Sequence, residues 1–307
     1  MSIALVITDR NAEKLRVLLQ QRLPEVKIQL WPDISSPEEV TYAVMWKHPV
    51  DIWQQLPNIK VAQSLGAGVD HFTFDQAIPE HVILSRIVVD SLAQQMAEYV
   101  LGVMLMRQCR LTEFAEQQIQ QRWKFQRRLQ GKRVLVLGVG QIGDVVARQL
   151  QLNGFDVTGW SRTVQTDKNY PCIQGKQALY DALADCDYAV NLLPDTQATR
   201  LLIDREFLSA CSQQTWLINV GRGNTINEEH LLEACRNGDI SGATLDVFQQ
   251  EPLPEKHPFW QQPNINITPH IAAITDQQEI IEQIADNYIA MTQEQAIKHK
   301  VDKSIGY

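Results

Sequence analysis

Several features that mark particular classes of protein are missing from this 307-residue sequence. No apolar run approaches the roughly 18 residues that a membrane-spanning helix requires. The five cysteines are scattered and form no Cys-x-x-Cys pair, so we expect neither a disulfide framework nor a metal site, and we favour a reducing, cytoplasmic setting. Lysine and arginine number 28 against 36 aspartates and glutamates. This net charge of −8 argues against nucleic acid or an anionic membrane as the main partner.

What is present is an alternation of short apolar strands and helical stretches, which predicts a parallel α/β architecture. The length and the 44% hydrophobic content favour two domains. The first residues carry no basic segment or cleavage site and predict a strand rather than a targeting signal. The predicted strands are 3–8, 26–31, 43–46, 61–64, 81–84, 133–138, 157–160, 188–192, 216–220, 242–246 and 265–268. Long helices are predicted over about 92–114 and 276–298.

The segment 133–143 has the pattern of a buried strand, a glycine turn and a helix start. Gly138 allows a tight turn, Gly140 lets the backbone approach a phosphate, and Gly143 lets the helix pack closely on the strand. The motif alone is weak evidence, but the Val/Leu-rich strand before it and the helical spacing after it supply the context that it needs. We therefore predict a dinucleotide pyrophosphate site, with a purely structural turn as the alternative. The predicted contacts are Gly138, Gly140, Gln141, Ile142 and Gly143.

Three ionisable residues follow strand-like runs in the middle of the chain, namely Arg222, Glu251 and His270. Because ligands bind outside the carboxyl ends of the strands in an open α/β sheet, all three could converge on the nicotinamide end of a dinucleotide. The residue types suit hydride transfer to a 2-oxo acid. A guanidinium can hold the carboxylate, an imidazolium can supply the proton, and a carboxylate favours the charged imidazole. Each signal is weak alone, because such residues are more often structural or exposed; their joint occurrence carries the prediction.

The order of these motifs resembles that of the D-isomer-specific 2-hydroxyacid dehydrogenases over essentially the whole chain. The matching segments are Leu137–Gly143, Leu193–Thr196 with Thr199, Asn219–Gly223, Leu245–Phe248 with Glu251–Pro254, and Thr268–Ala273. The resemblance implies an α/β fold of two Rossmann-like domains, a flavodoxin-like substrate domain and a dinucleotide-binding domain, with parallel sheets and a cleft between them. It also implies a discontinuous substrate domain (residues 1–96 and 274–307), an NAD(P)-binding domain (residues 97–273) and a homodimer.

The resemblance further implies roles for single residues. Arg222 is expected to clamp the substrate and His270 to act as acid/base with Glu251 as its partner. Asp246 is placed near the nicotinamide, with an ion pair or a helix cap as the alternative. The other implied cofactor contacts are Leu193, Pro194, Thr199, Val220, Gly221, Arg222, His270 and Ala272.

The end of the second strand of the dinucleotide-binding domain indicates which cofactor is bound. NAD enzymes of the family carry an acid there, which accepts hydrogen bonds from the ribose hydroxyls. Here the chain reads Trp160-Ser161-Arg162-Thr163, so the repelling charge is missing and Arg162 can pair with a 2′-phosphate. We predict that Ser161 and Arg162 contact the cofactor, and that NADP(H) is preferred over NAD(H). An exposed arginine on a turn is the alternative.

The segment 65–70 resembles the family's substrate loop, whose backbone N–H groups grip a carboxylate. Together with Trp46 and Lys47, it looks most like the glyoxylate/hydroxypyruvate reductase A group. We expect Trp46 to close a small pocket and Lys47 to add positive charge, while a core tryptophan is an equally good interpretation of Trp46. The predicted substrate contacts are Trp46, Lys47, Ala67, Gly68, Val69 and Arg222.

Three functions are compatible with these features. The leading hypothesis is an NADPH-dependent reductase of glyoxylate, hydroxypyruvate or a similar small 2-oxo acid. A dinucleotide-sensing, corepressor-like binding protein is the alternative from another class, but it would not need Glu251 and His270. The second alternative is an NAD-linked dehydrogenase of another substrate that works in the oxidative direction, and Ser161 with Arg162 argues against it.

Overall fold

The computed structural model describes residues 1–73, 75–163 and 165–303. The chain forms two compact units. The first unit contains Met1–Ser91 and the C-terminal stretch from Thr275, and the second unit is Leu92–Ile274. Each unit is built on a parallel sheet, which confirms the predicted α/β class. The functional domains predicted from the sequence, residues 1–96 with 274–307 and residues 97–273, remain a prediction.

Strands and helices alternate along most of the chain. The strands are β1 (Ser2–Ile7), β2 (Lys27–Leu30), β3 (Val40–Trp46), β4 (Val61–Ser64), β5 (Ile83–Ser85), β6 (Arg133–Leu137), β7 (Asp156–Trp160), β8 (Cys172–Ile173), β9 (Tyr188–Asn191), β10 (Trp216–Asn219), β11 (Gly242–Leu245) and β12 (Ile265–Ile267). The helices are α1 (Glu13–Arg22), α2 (Ile52–Gln55), α3 (Asp70–Thr73), α4 (Asp90–Gln108), α5 (Leu111–Ile119), α6 (Gln141–Leu152), α7 (Lys176–Asp185), α8 (Arg205–Ala210), α9 (Glu228–Asn237) and α10 (Gln277–Thr292). Among the described residues, no helix is long and apolar enough to cross a membrane.

The sheet of the first unit has the strand order β2-β1-β3-β4-β5 and is covered on both faces. Ile3 and Leu5 belong to a buried cluster that includes residues of α1 and α10. Ala4 and Val6, which alternate with them along β1, belong to a second cluster that includes residues of α2. This alternation follows from the two-residue period of a strand, and it explains why β1 is apolar throughout.

The C-terminal helix α10 packs in the first unit, and its predicted extent is wrong at one end. Asp276 caps its start by accepting hydrogen bonds from two backbone N–H groups of the first turn. The buried Asn287 donates to Gln63 Oε1 at 3.1 Å and so ties the helix to β4. The helix stops before residue 298 because Glu294 has φ 56° and the chain turns back, placing the Lys298 N–H on Asn287 Oδ1 at 2.9 Å.

The sheet of the second unit has the strand order β12-β11-β10-β9-β6-β7-β8. The chain builds outward from β6 in one direction and then, from β9, in the other. This reversal opens a crevice at the carboxyl ends of β6 and β9, the usual place for a ligand in such a sheet. The predicted strands of both units lie on strands of the structure, with ends that differ by a few residues. The two-residue β8 was not predicted.

The long helix predicted over 92–114 is interrupted at residues 109–110, so that prediction is wrong near its C-terminal end. α4 ends at Gln108, and the chain turns at Arg110, which has φ 55°, before α5 begins. The Arg110 Nε donates to the Arg127 carbonyl at 2.8 Å, and the Leu129 N–H donates to the Gln108 carbonyl at 3.1 Å. The segment that returns past the helix end therefore satisfies a carbonyl that a continued helix would have used.

Candidate active site

The glycine turn between β6 and α6 has the shape that a pyrophosphate requires. Gly138 has φ 92°, a conformation that favours glycine. A Cβ on Gly143 would lie 1.9 Å from the Gly138 carbonyl oxygen, so a larger residue would push the helix away from the turn. A Cβ on Gly140 would meet no atom of the described chain within 4 Å, so this side of the turn is open. Gln141 and Ile142 form the first turn of α6, where N–H groups lack helical partners and can face an anion.

Two buried asparagines hold together the loops that follow β9 and β10. Asn191 Nδ2 donates to Asn219 Oδ1 at 2.8 Å and to Thr225 Oγ1 at 2.7 Å. Asn191 Oδ1 accepts the Leu193 N–H, and Asn219 Oδ1 accepts the Gly221 N–H, both at 3.2 Å. The loops also touch directly, because a Cβ on Gly221 would lie 2.6 Å from the Leu193 carbonyl oxygen. Predicted contacts from two different motifs are thus brought to one place.

The same network holds the backbone of Arg222. Its carbonyl oxygen accepts hydrogen bonds from Thr225 Oγ1 at 2.6 Å and from Asn219 Nδ2 at 3.2 Å. Its guanidinium donates through Nη1 to the Gly221 carbonyl at 2.7 Å. The partly buried arginine therefore extends from a fixed backbone, which suits a side chain that has to hold a carboxylate in one orientation.

The remaining predicted contacts on these two loops have structural partners of their own. Thr199 Oγ1 donates to the Pro194 carbonyl at 2.5 Å and accepts the Thr196 N–H at 2.9 Å, so it shapes the turn after β9. The side chains of Leu193 and Val220 are buried in the core clusters. Any contact that these two residues make with a ligand would therefore come mainly from their backbone.

His270 and Glu251 form a hydrogen-bonded pair. His270 Nδ1 lies 2.7 Å from Glu251 Oε2, and the imidazole remains about half exposed. The other carboxylate oxygen of Glu251 accepts the Phe248 N–H at 3.0 Å, which fixes the carboxylate in the loop after β11. Since Nδ1 is engaged by Glu251, Nε2 is the ring atom that can exchange a proton with a substrate.

Each partner of this pair favours the charged form of the other. The hydrogen bond that His270 donates to Glu251 holds the pKa of His270 above its usual value, against burial and the positive charge of Arg222, both of which lower it. Burial would raise the pKa of Glu251, but the hydrogen bonds from His270 and the Phe248 N–H, with the charge of Arg222, bring it below its usual value. The pair is thus an imidazolium carboxylate over a wider pH range than isolated side chains would be.

Asp246 holds the segment that carries His270. Its buried carboxylate accepts the Thr268 hydroxyl at 2.6 Å, the Ile271 N–H at 2.9 Å and the Ala272 N–H at 2.9 Å. Its backbone carbonyl accepts the His270 N–H at 2.9 Å. The carboxylate is therefore a clamp on residues 268–272, which is neither the ion pair nor the helix cap that the sequence left open. Ala272 is a predicted cofactor contact, and its N–H is engaged by this clamp.

Ser161 and Arg162 lie directly after β7, as predicted. The Ser161 hydroxyl donates to the Thr163 carbonyl at 2.5 Å, and its N–H donates to the Ile173 carbonyl of β8 at 3.1 Å. Arg162 is exposed at the start of the loop between β7 and β8. No carboxylate stands at the strand end, so the structure retains there the charge pattern that predicted NADP(H).

Trp46 and Lys47, the predicted substrate contacts at the end of β3, share a carboxylate that the sequence did not single out. The Trp46 Nε1 donates to Asp9 Oδ2 at 3.1 Å, and Lys47 Nζ lies 3.4 Å from the same oxygen. A hydrogen bond from Arg10, aided by Lys47, lowers the pKa of Asp9 to about 2 although burial opposes the shift. Asp9 is thus an anion that partly offsets the positive charge expected from Lys47, and Trp46 is a partly exposed ring that also packs against the core of the first unit.

The predicted substrate loop also lies in the first unit, next to Trp46. A Cβ on Gly66 would lie 3.1 Å from the Trp46 ring, and the Ser64 hydroxyl donates to the Gly68 carbonyl at 2.7 Å. Ala67 and Gly68 are partly exposed, whereas the Val69 side chain is buried in the core. Val69 can therefore offer only its backbone to a ligand.

The described part of the chain holds no cluster of three or more His, Cys, Asp or Glu side chains arranged for a metal ion. Sequence reasoning missed the residues that hold the others in place, such as Asn191, Thr225 and Asp9. Asn191 did carry a signal, because an asparagine at the end of an apolar strand needs a buried partner. Thr225 and Asp9 carried none, since their partners are set by the tertiary fold.

Comparison with known proteins agrees with this arrangement. A family model described as D-isomer specific 2-hydroxyacid dehydrogenase, NAD binding domain, matches residues 101–272. The chain is 35% identical to glyoxylate/hydroxypyruvate reductase A of Serratia proteamaculans over 97% of each protein. It is 36% identical to the protein of the same name from Photorhabdus laumondii over 94% of each.

Solved structures show the same likeness. A D-isomer specific 2-hydroxyacid dehydrogenase from Xanthobacter autotrophicus, in complex with NADPH and MES, superposes with a TM-score of 0.93 at 33% identity, over 100% of this chain and 99% of that chain. An NADPH-dependent glyoxylate/hydroxypyruvate reductase from Sinorhizobium meliloti, in complex with NADP and sulfate, gives 0.91 at 29% identity over 100% of both chains.

The Glu251–His270 hydrogen bond should affect the pKa of His270, which can be measured without any ligand. In Glu251→Gln the acceptor charge is lost, so the pKa of His270 should fall, since burial and Arg222 then act against the imidazolium while the charge of Asp246 still favours it. NMR titration of the histidine ring carbon-bound protons measures this directly. Glu228→Gln is the matched control, because its carboxylate faces a different histidine, His257, at 3.4 Å. An unchanged His270 titration in Glu251→Gln would contradict the pairing.

Proposed function

The chain belongs to the D-isomer-specific 2-hydroxyacid dehydrogenase family, and we propose that it is an NADPH-dependent reductase of a small 2-oxo acid, glyoxylate or hydroxypyruvate. The observation that carries the proposal is the Glu251–His270 pair at the carboxyl side of the sheet that bears the glycine turn. The names of the relatives and the NADP(H) in the similar structures support the substrate and the cofactor. A binding protein that only senses a dinucleotide would have no need of this acid/base pair.

The residues can be assigned to steps of this reduction. The glycine turn would hold NADPH, which would supply the hydride for the carbonyl carbon of the acid. Arg222 binds the carboxylate of the 2-oxo acid. Because the backbone of Arg222 is fixed, this contact also orients the carbonyl group of the acid. His270 gives the proton on Nε2 to the carbonyl oxygen, and the product is the 2-hydroxy acid. Glu251 keeps the imidazole oriented through Nδ1 and favours the protonated ring that reduction needs.

We propose that the first unit belongs to the substrate domain (residues 1–96 and 274–307) and the second to the NAD(P)-binding domain (residues 97–273). In the substrate domain, backbone N–H groups of Ala67, Gly68 and Val69 would hold the acid, and Trp46 would limit its size. Asp9 offsets one of the two positive charges of Lys47 and Arg10, and the single positive charge that is left suits a small acid with one carboxylate more than one with an added phosphate.

We propose that the enzyme works as a homodimer in the cytoplasm. The segment 110–130 exposes four large apolar side chains, and a second copy of the chain is the partner that would cover them. These side chains are Leu111, Ile119, Trp123 and Phe125. All five cysteines are free thiols, which supports a reducing compartment. The net charge of −8 supports the expectation that no nucleic acid is bound.

Removing the proposed proton donor should separate chemistry from binding. His270→Ala should lower kcat by on the order of 10²–10⁴, the usual worth of general acid–base catalysis, while NADPH binding stays nearly intact. Arg222→Ala should raise KM and lower kcat together, because the arginine holds the carboxylate both in the bound substrate and in the transition state. Initial rates with glyoxylate, hydroxypyruvate, pyruvate and 3-phosphohydroxypyruvate give the measurement. His257→Ala is the control, and near-normal kcat in His270→Ala would refute the assignment.

Arg162 should distinguish the two cofactors. If it pairs with the 2′-phosphate, Arg162→Ala should weaken NADPH relative to NADH by about 1.5–3 kcal/mol, the worth of a charged hydrogen bond. Dissociation constants of both cofactors from the free enzyme test this, with the exposed Arg236→Ala as the control for loss of a surface charge. Equal losses for NADPH and NADH would show that Arg162 does not read the phosphate.

The proposed dimer can be tested through the aromatic residues of the 110–130 segment. Trp123→Ser combined with Phe125→Ser removes much of the exposed apolar area and should convert the protein to monomers in sedimentation velocity. Trp260→Ser, which changes another exposed tryptophan of the same unit, should leave the dimer intact. A wild-type protein that sediments as a monomer at micromolar concentration would rule out the proposal.

A further inference from the structure

One carboxylate connects the loop after β7 to the helix that starts at the glycine turn. Asp144 lies in the first turn of α6, and its Oδ1 accepts the hydroxyl of Tyr170 at 2.8 Å. Lys168 Nζ lies 3.5 Å from the same oxygen, and Arg148 Nη2 lies 3.0 Å from Oδ2. The side chains of Asp144 and Lys168 are largely buried, with 16% and 12% of their surface exposed. We call Asp144, Lys168 and Tyr170 the loop brace.

The brace lies at the far half of the loop that starts with Arg162. This β7–β8 loop spans residues 161–171, of which Val164 lies outside the described residues. Its two ends are fixed to the sheet, because the Ser161 N–H donates to the Ile173 carbonyl at 3.1 Å and the Gly159 N–H donates to the Pro171 carbonyl at 2.8 Å. The brace adds a third attachment, from the body of the loop to α6.

The charges of the brace suit a permanent contact. Burial would raise the pKa of Asp144, but hydrogen bonds from Tyr170 and Arg148 and the charge of Lys168 hold it below its usual value. Burial and the Asp144 carboxylate raise the pKa of the Tyr170 hydroxyl, which therefore stays a donor. The Tyr170 ring also packs in the core cluster beside β6 and α6. The loop is thus held by an anion with several donors and by apolar burial.

The helix that bears Asp144 also presents its N-terminus to the proposed pyrophosphate site. A rigid helix therefore relates that site to the loop that carries Arg162. We propose that Asp144, Lys168 and Tyr170 are positioning residues for NADPH specificity, which hold the β7–β8 loop so that Arg162 is already placed for a ribose 2′-phosphate. This inference rests on the proposed function, because it assumes that Arg162 reads that phosphate. Ordering the loop in advance lowers the entropy lost when the arginine binds.

The brace should therefore affect a 2′-phosphate and leave the rest of the nucleotide alone. Tyr170→Phe removes one hydrogen bond and keeps the buried ring, and Lys168→Gln removes the charge. In each variant, affinity for adenosine 2′,5′-bisphosphate should fall by roughly 3–10-fold, the cost of ordering one or two side chains at binding. Affinity for AMP, which differs from that probe only in lacking the 2′-phosphate, should stay close to the wild-type value. In kinetics, KM for NADPH should rise while kcat and KM for NADH stay unchanged.

The chain offers a matched control for this experiment. Tyr180 donates to Glu206 at 3.2 Å, and Lys176 lies 2.6 Å from the same carboxylate oxygen, which repeats the tyrosine–acid–lysine arrangement on an exposed surface of the same unit. Tyr180→Phe should change neither affinity. Isothermal titration calorimetry of the full-length protein with the two adenosine probes gives the dissociation constants, and thermal melts confirm that each variant is folded.

The outcomes separate the two proposals. The inference is supported if the wild-type protein prefers the bisphosphate and the variants Tyr170→Phe and Lys168→Gln lose this preference. If the wild type prefers the bisphosphate and both variants keep this preference, the brace does not determine specificity. The same holds if both variants lose affinity for the two probes by the same factor. In either case Arg162 can still bind the 2′-phosphate. If the wild type itself binds both probes equally, the NADPH preference in the proposed function fails, and the brace proposal fails with it.

Discussion

The Asp246 carboxylate is buried, and both of its oxygens accept hydrogen bonds from the segment that carries His270. A buried anion is stable only while such hydrogen bonds are made, because losing one leaves the desolvation of the charge uncompensated. The segment 268–272 is therefore held to the end of β11. This hold also accounts for the left-handed backbone of His270, a conformation that costs roughly 1–3 kcal/mol and persists only where the surroundings enforce it.

The same requirement shapes the two neighbouring loops. Asn191 and Asn219 are fully buried at the ends of β9 and β10, so their amides must find partners within the protein. They find them in each other and in the backbone of the loops that carry Leu193 and Arg222. Polar groups buried at the carboxyl ends of three neighbouring strands thus determine the backbone positions of the residues that face the crevice. The chemistry is carried by side chains whose own supports are buried and satisfied.

Opposing charges are balanced locally in both units. In the second unit, Glu251 raises the pKa of His270 and Arg222 lowers it, so the rise is smaller than Glu251 alone would produce. In the first unit, Asp9 meets Lys47 and Arg10 and offsets one of their two positive charges beside Trp46. Beside the β7–β8 loop, Asp144 offsets one of the two positive charges of Lys168 and Arg148. In each case a carboxylate limits how much positive charge reaches the region where an anionic ligand is proposed to bind.

Much of the fold, and the placement of the candidate site residues after strands, could be predicted from the sequence. Alternating or continuous apolar runs indicated the strands, and the spacing of Gly138, Gly140 and Gly143 indicated the turn. Both features can be predicted because they arise from contacts between residues a few positions apart. The positions of Arg222, Glu251 and His270 after strands indicated one edge of a sheet. The interruption at Arg110 was missed, since it depends on hydrogen bonds to a segment that returns from farther along the chain.

What only the tertiary structure decided is which side chain meets which. The sequence did not pair Asp9 with Trp46, Asp144 with Tyr170, or Asp246 with the backbone of residues 271–272. The sequence determined the alternation of elements and the residue types at the strand ends. The pairing depends on strand order, register and loop path, because a hydrogen bond is made or lost over less than an ångström, and no local pattern in the chain records distances between distant segments.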